Sequence, residues 1–167
     1  RMLIPAEEKS FHSLFTNFIQ PGEVRWIGVR IKSKQPMKVL DEVVVQTSGL
    51  EEDRYNIGKP DGPRSVTIIQ DEHIHAVASF LNKESIDPAL LRRNIVVKGI
   101  NLNALKGNKI AIGEAILEMT GYCHPCSRME DALGRGGYNA MRGHGGITCK
   151  VLKPGTIRLN DKVTVIN

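Results

Sequence analysis

Residues 118–149 gather all three cysteines, two of the five histidines and a run of glycines into one short stretch. The stretch 115–120 reads as a strand, Gly121-Tyr122-Cys123-His124-Pro125-Cys126 as a turn, and Ser127-Arg128-Met129-Glu130 as the start of a helix. A helix N-terminus carries partial positive charge, which favours a thiolate over a thiol. Cys126 follows a proline and precedes the expected N-cap Ser127, so it is the candidate reactive residue. Three chemistries are open to the Cys123-x-x-Cys126 pair. A zinc site needs about four ligands. Cys123, Cys126, His124, His144 and Cys149 could supply them, but no second Cys-x-x-Cys or His-x-x-x-His completes a known spacing. A redox dithiol fits the strand-to-helix junction but lacks the βαβ surroundings of that motif. A single working thiolate, with Cys123 as an accessory, is the third. Cys149, inside the strand-like stretch 147–152, reads as a small buried hydrophobe.

Basic residues give the second signal. Arg30, Lys32 and Lys34 alternate, so on a strand they would share a face. Arg54 ends Gly49-Leu50-Glu51-Glu52-Asp53-Arg54, Arg64 precedes one strand-like run, and Arg92-Arg93-Asn94 opens another. Arginines at strand ends can converge at a barrel mouth and grip phosphate or another oxyanion in bidentate fashion. Gly134-Arg135-Gly136-Gly137-Tyr138-Asn139 and Arg142-Gly143-His144-Gly145-Gly146 are rich enough in glycine to form an anion nest. They match neither phosphate-loop nor dinucleotide fingerprints. His144 could carry a proton or ligate a metal. His73 and His75, two apart on a helix, do not share a face and receive no role.

The elements that must position these residues are mostly short. Residues 24–31, 42–47, 65–69, 94–98, 109–112, 115–120, 147–152 and 162–166 are rich in Val and Ile and bounded by Gly, Pro, Asn or Asp, the pattern of strands. Residues 71–81 read as the main helix, with Asp71 as cap and Ile74, Val77, Ala78 and Leu81 on one face. Ser127 and Glu130 have capping-box spacing and Gly134 ends that short helix. Near the start, Phe11, Leu14, Phe15, Phe18 and Ile19 recur at helical spacing, stopped by Pro21-Gly22. This predicts a mostly β protein: a closed or nearly closed β-barrel at 23–167, with a few peripheral helices and an N-terminal helical extension at 1–22. Closing a barrel removes edge strands. The loop 58–63 reads as a flexible surface loop.

At 167 residues the chain is long enough for one domain with a real core. No apolar run approaches membrane-spanning length, and the start shows no secretory h-region, so a soluble chain is expected. An odd, clustered set of cysteines argues against a disulfide framework and for a reducing, cytoplasmic setting. The 23 basic and 18 acidic residues leave +5, which suits an anionic partner. With no Lys/Arg run and only one Trp, three Tyr and four Phe, nucleic acid is not indicated.

Gly49-Leu50-Glu51-Glu52-Asp53-Arg54, Arg64-Ser65-Val66-Thr67-Ile68-Ile69, Arg92-Arg93-Asn94-Ile95-Val96-Val97, Gly113-Glu114-Ala115-Ile116-Leu117-Glu118 and Pro125-Cys126 occur in that order. Together they resemble the MOSC family, a domain found at the C-terminus of eukaryotic molybdenum-cofactor sulfurases and as small stand-alone bacterial proteins. The resemblance implies a barrel of the pyruvate-kinase type and a working cysteine at Cys126. That cysteine would either ligate molybdenum of a pterin cofactor or carry sulfur as a persulfide. It also implies cofactor contacts at Arg54, Arg92, Arg93 and Asn94, and at Lys32 and Ser33 after the first strand. Relatives such as the mitochondrial amidoxime-reducing component reduce N-hydroxylated substrates. The partners implied are a separate electron-donor protein, since no flavin, haem or iron–sulfur signature is present, or a cysteine desulfurase. A zinc-stabilised binding domain built on Cys123, Cys126 and His144 is the reading from a different class.

Overall fold

The computed structural model describes residues 11–56 and 60–166. The chain enters through a short helix, α1 (Phe11–Leu14), and passes Pro21 into β1 (Gly22–Val29). Strands β2 (Lys38–Leu40), β3 (Glu42–Gln46) and β4 (Gly49–Leu50) follow. Next, β5 (Val66–Gln70) runs straight into α2 (Asp71–Phe80). A 3₁₀ turn at Pro88–Leu91 leads into β6 (Ile95–Lys98). The hairpin β7 (Lys109–Ile112) and β8 (Ala115–Tyr122) delivers the chain to α3 (Ser127–Leu133) and α4 (Gly137–Met141). Strands β9 (Ile147–Lys153), β10 (Gly155–Arg158) and β11 (Lys162–Ile166) complete it.

The sheet runs β11-β7-β8-β9-β5-β6-β1, and β1 pairs back onto β11 through Gly22↔Val163 and Glu23↔Lys162, so the barrel is closed as expected. All neighbours are antiparallel except β5 and β6. Their parallel pairing is allowed because α2 and the first 3₁₀ turn supply the crossover. Register shifts in β1 between Val24 and Trp26, and in β8 between Met119 and Gly121, mark bulges that bend the strands around the ring. A small sheet, β10-β3-β4, packs Val43, Val45, Leu50 and Ile157 into the same core. That core fills the barrel with Ile27, Ile68, Ile95, Ile110 and Leu117, all fully buried.

A second core lies outside the ring. Ile69 and Val96 point away from the barrel and meet Ile74, Val77 and Ala78 of α2, Met129 and Leu133 of α3, and Met141 of α4. This explains why β5 is buried at every position: one face is inside the barrel and the other lies under helices.

Several expectations need correction. Asp71 does not cap α2. Because β5 feeds the helix directly, Gln70 is the N-cap, and its side chain instead accepts from the Leu102 N–H. Ser127 is not the cap of α3 either; Cys126 holds that position. β1 ends at Val29, so Arg30, Lys32 and Lys34 do not share a strand face. Lys34 takes a left-handed φ of 61°, which belongs to a turn. The apolar stripe near the start is helical only to Leu14. Phe18 packs on the barrel core, while Phe11, Leu14, Phe15 and Ile19 are exposed. The rest of the expected extension, residues 1–10, and residues 58 and 59 of the expected 58–63 loop lie outside the described residues.

The junction that delivers α3 is held by glycine. Gly146 accepts from the Cys123 N–H at 2.8 Å and sits at φ +87°. A Cβ there would stand 2.2 Å from the Ile68 carbonyl oxygen. Gly146→Ala is expected to lower stability by more than about 1–2 kcal/mol, the usual cost of a left-handed non-glycine residue, because backbone must also move. Urea denaturation checks it; an unchanged midpoint would contradict this packing.

Candidate functional site

Cys126 is the N-cap of α3, extended at φ −125° and ψ 177°, and its carbonyl accepts from the Met129 N–H at 2.9 Å. It is exposed, whereas Cys123 and Cys149 are buried. Cys149 sits in the barrel core with no solvent contact, and burial pushes its thiol far up. It packs as a hydrophobe, as its strand position suggested.

Behind the cysteine turn lies Arg93, which is buried. Its Nε donates to the Gly145 carbonyl and its Nη1 to the Leu91 carbonyl, both at 2.9 Å. Its Nη2 is buried without an acceptor among the described residues. Burial pushes the Arg93 pKa down, and Arg30 adds to that. Negative charge on Cys123, and more weakly on Cys126, pulls it up. The guanidinium and both thiols therefore share one electrostatic neighbourhood.

Arg92 ends the 3₁₀ turn in the left-handed region, φ 58°. Its Nη1 donates to the Gln35 carbonyl at 2.7 Å and its Nη2 to the Lys32 carbonyl at 3.2 Å. Thus Arg92 holds the 32–35 turn through its backbone, while the Lys32 and Ser33 side chains remain exposed. Burial, then Arg30, Arg54 and Arg128, hold the Arg92 pKa below the usual arginine value. Arg30 lies 4.3 Å and Arg54 5.1 Å from the Tyr55 ring centroid, a cation–π arrangement on both counts.

One carboxylate anchors this group. Asp53 accepts from Arg30 Nε at 3.1 Å and from Nη2 at 2.9 Å, and from the Arg30 backbone N–H at 2.7 Å. The Asp53 side chain is only 1 % exposed. Asn94 is fully buried beside it. Its Oδ1 accepts from the Thr67 N–H and hydroxyl, and its Nδ2 donates to the Gly28 carbonyl. Asn94 thus acts from within the scaffold and presents no free face.

The structure brings Cys126, Arg54, Arg92 and Arg93 into one region, with Lys32 and Ser33 on the turn that Arg92 holds. Arg64 is exposed at the start of β5, and Arg142 is exposed with its Nη1 near Asn139 Oδ1. His144 stacks edge-on against His73 at 4.8 Å and Phe80 at 5.5 Å, facing α2. Burial, then His144, hold the His73 pKa down. No group of three or more His, Cys, Asp or Glu side chains assembles among the described residues, so the zinc set Cys123, Cys126 and His144 is not formed.

The glycine-rich stretch does form an anion nest, but its guest is internal. The Glu130 carboxylate accepts from the Gly136 and Tyr138 N–H groups at 3.1 and 3.0 Å. Those bonds, that of Tyr138 first, hold its pKa down. This replaces the capping box expected between Glu130 and Ser127 and folds residues 137–141 into α4. Residues that sequence reasoning left unassigned are Asp53, Tyr55 and Arg128. Asp53 and Tyr55 flank Arg54, and Arg128 lies two residues past Cys126, so adjacency was the available signal.

Fold and site together define a closed β-barrel domain presenting one exposed thiol beside a cluster of arginines. The MOSC domain model matches residues 53–164, and the chain belongs to the MOSC family. Among solved structures it is similar to the YuaD protein of Bacillus subtilis, with a TM-score of 0.73 and 19% identity over 86% of this chain and 94% of that one. It is also similar to YiiM of Escherichia coli, at 0.65 and 18% over 89% and 69%. YiiM of Geobacillus stearothermophilus gives 0.68 and 15% over 88% and 76%. At these identities the likeness is one of fold. No curated protein matches the chain. No helix among the described residues is long and apolar enough to cross a membrane.

Two outcomes follow from this geometry. Native protein treated with iodoacetamide should take up one label, at Cys126, and three only after denaturation; peptide mass mapping reads this, and labelling of Cys123 at equal rate would contradict its burial. Asp53→Ala should cost about 3–5 kcal/mol, the usual penalty for leaving a buried charge unpaired, here Arg30. Chemical denaturation measures it.

Proposed function

We propose that this MOSC domain binds an anionic molybdenum–pterin cofactor, with Cys126 Sγ as the metal ligand, and reduces N-hydroxylated compounds. The observation that carries the reading is the unpartnered, buried Nη2 of Arg93 beside an exposed thiol, in a cationic group that Asp53 only partly neutralises. The residues fit such a group. A thiolate is a soft donor suited to a thiophilic metal, and arginines suit a phosphate through paired N–H donors. Arg93 and Arg54 would hold the negative charge, and Asp53 keeps Arg30 from competing for it.

When bound, the cofactor would supply a two-electron redox centre. In the net reaction the N–O bond breaks, two electrons and two protons enter, and water leaves. The electrons come from a separate donor protein. The chain itself orients the substrate, and its arginines offset charge on the departing oxygen.

One observation favours a second reading. Cys126 is the exposed thiol of the three, which suits a sulfur carrier that accepts sulfane sulfur from a cysteine desulfurase as a persulfide.

Protein made in a molybdenum-replete host should contain molybdenum by elemental analysis. Cys126→Ser and Arg93→Gln should each lose most of it while the circular dichroism stays that of the wild type. Incubation with a desulfurase and cysteine should add one sulfur mass at Cys126 under the second reading. Zinc in place of molybdenum, or a folded wild type that takes neither molybdenum nor sulfur, would overturn both.

A further inference from the structure

Next to the arginine group lies an open cleft of about 690 Å³, formed by residues 34–39, the 3₁₀ turn before β6 and the flank of α3. That volume falls within the roughly 300–1,000 Å³ of small-molecule sites. Met37, 8% exposed, is the buried aliphatic side chain of its lining. Val39 and Leu90 face solvent at 58% and 44%. Exposed aliphatic side chains gathered in a concavity mark a surface that awaits a partner.

The charges decide which partner. Arg92 and Arg128 line this cleft and also belong to the crowded cationic group. Of the two acids present, Asp87 already accepts from the Ala89 N–H at 3.0 Å. Asp131 is the other. Neither Arg92 nor Arg128 has an ion pair among the described residues. An anion placed against them relieves their mutual repulsion, and an apolar body fills the cleft beside it. Arg128 stands two residues past Cys126, on the first turn of the helix that Cys126 begins.

We infer that the cleft seats a small amphipathic anion, an aromatic or alicyclic ring bearing one oxyanionic group, with that group against Arg92 and Arg128. For the proposed reaction, on which this assignment of substrate class rests, the substrates are ring compounds carrying a carboxylate or an ionised N-hydroxyamide. The ring is held by Met37, Val39 and Leu90, and the charged end lies toward the Cys126 end of α3.

The test is calorimetric titration of the full chain with 2-naphthoate, using 2-naphthamide to remove the charge and acetate to remove the ring. Naphthoate should bind, and each control should bind at least about tenfold more weakly, a difference of about 1.4 kcal/mol. The double variant Val39→Asn, Leu90→Asn changes two exposed positions, so its thermal midpoint should match the wild type while naphthoate affinity falls about tenfold or more. Arg128→Ala should cut naphthoate affinity and leave that for naphthamide unchanged. Absence of naphthoate binding, equal affinity for naphthoate and naphthamide, or indifference to the double variant overturns the inference. Elemental analysis of the same preparations reads the cofactor proposal separately: a molybdenum-free wild type that still binds naphthoate sinks that proposal and leaves the cleft standing.

Discussion

A guanidinium taken out of water must recover its hydrogen bonds, and Arg93 recovers only part of them. Two carbonyls, Gly145 and Leu91, satisfy Nε and Nη1, and Nη2 is left over. An unmade hydrogen bond on a buried charged group costs at least about 1–3 kcal/mol, so the scaffold must over-determine the position. It does so by tying the segment before β6 to the segment before β9 through one side chain. Leu91 belongs to the 3₁₀ turn, Arg93 precedes β6, and Gly145 precedes β9. The last is so close to the cysteine turn that a Cβ at Gly145 would stand 2.0 Å from the Cys123 carbonyl oxygen. The barrel cannot shift any of these without moving the turn that carries Cys126.

The surrounding charges show a division between structure and function. Arg30 is neutralised in full: a bidentate carboxylate, a backbone N–H to the same oxygen, and Tyr55 over its face. Buried ion pairs of this kind fix geometry more than they stabilise. Arg54, Arg92, Arg93 and Arg128 are given no such carboxylate among the described residues, although they crowd one another enough to weaken Arg92's hold on its proton. A fold under no other demand would place an acid there. The +5 net charge, which by sequence was only a diffuse excess, has a local expression at this site.

The barrel was legible in the sequence because its strands repeat a physical pattern, Val and Ile runs cut by turn residues. Expected strand edges fell within two residues of the observed ones, and 109–112 and 162–166 matched at both ends. What stayed hidden was set by contacts distant in sequence. β2, β4 and β10 are short and lack their own apolar alternation; they exist because β1 and β3 offer edges to pair with. Lys32 and Lys34 looked strand-like until Arg92, some 60 residues on, claimed the carbonyls of the turn. Glu130 had the spacing of a cap, but the backbone amides of Gly136 and Tyr138, six and eight positions later, compete better for its oxygens. The candidate thiol was legible, since a cysteine before a helix is a local feature. Its arginine neighbours were named one by one, yet which of them converge depends on the ring closing, which sets Arg92 and Arg93 beside Arg30.

The two cysteines of the Cys-x-x-Cys pair are separated by burial rather than joined by chemistry. Among the described residues no backbone hydrogen bond closes a turn from Cys123 to Cys126, and Cys126 itself is extended. A redox pair needs its sulfurs brought together by a tight turn at a helix start. Here the chain instead stretches out, its Cys123 end pinned to Gly146 and its Cys126 end turned to solvent. The inner thiol is buried in the electrostatic reach of Arg93, and the outer one is exposed. That arrangement leaves Cys126 open to solvent and Cys123 packed beneath the turn.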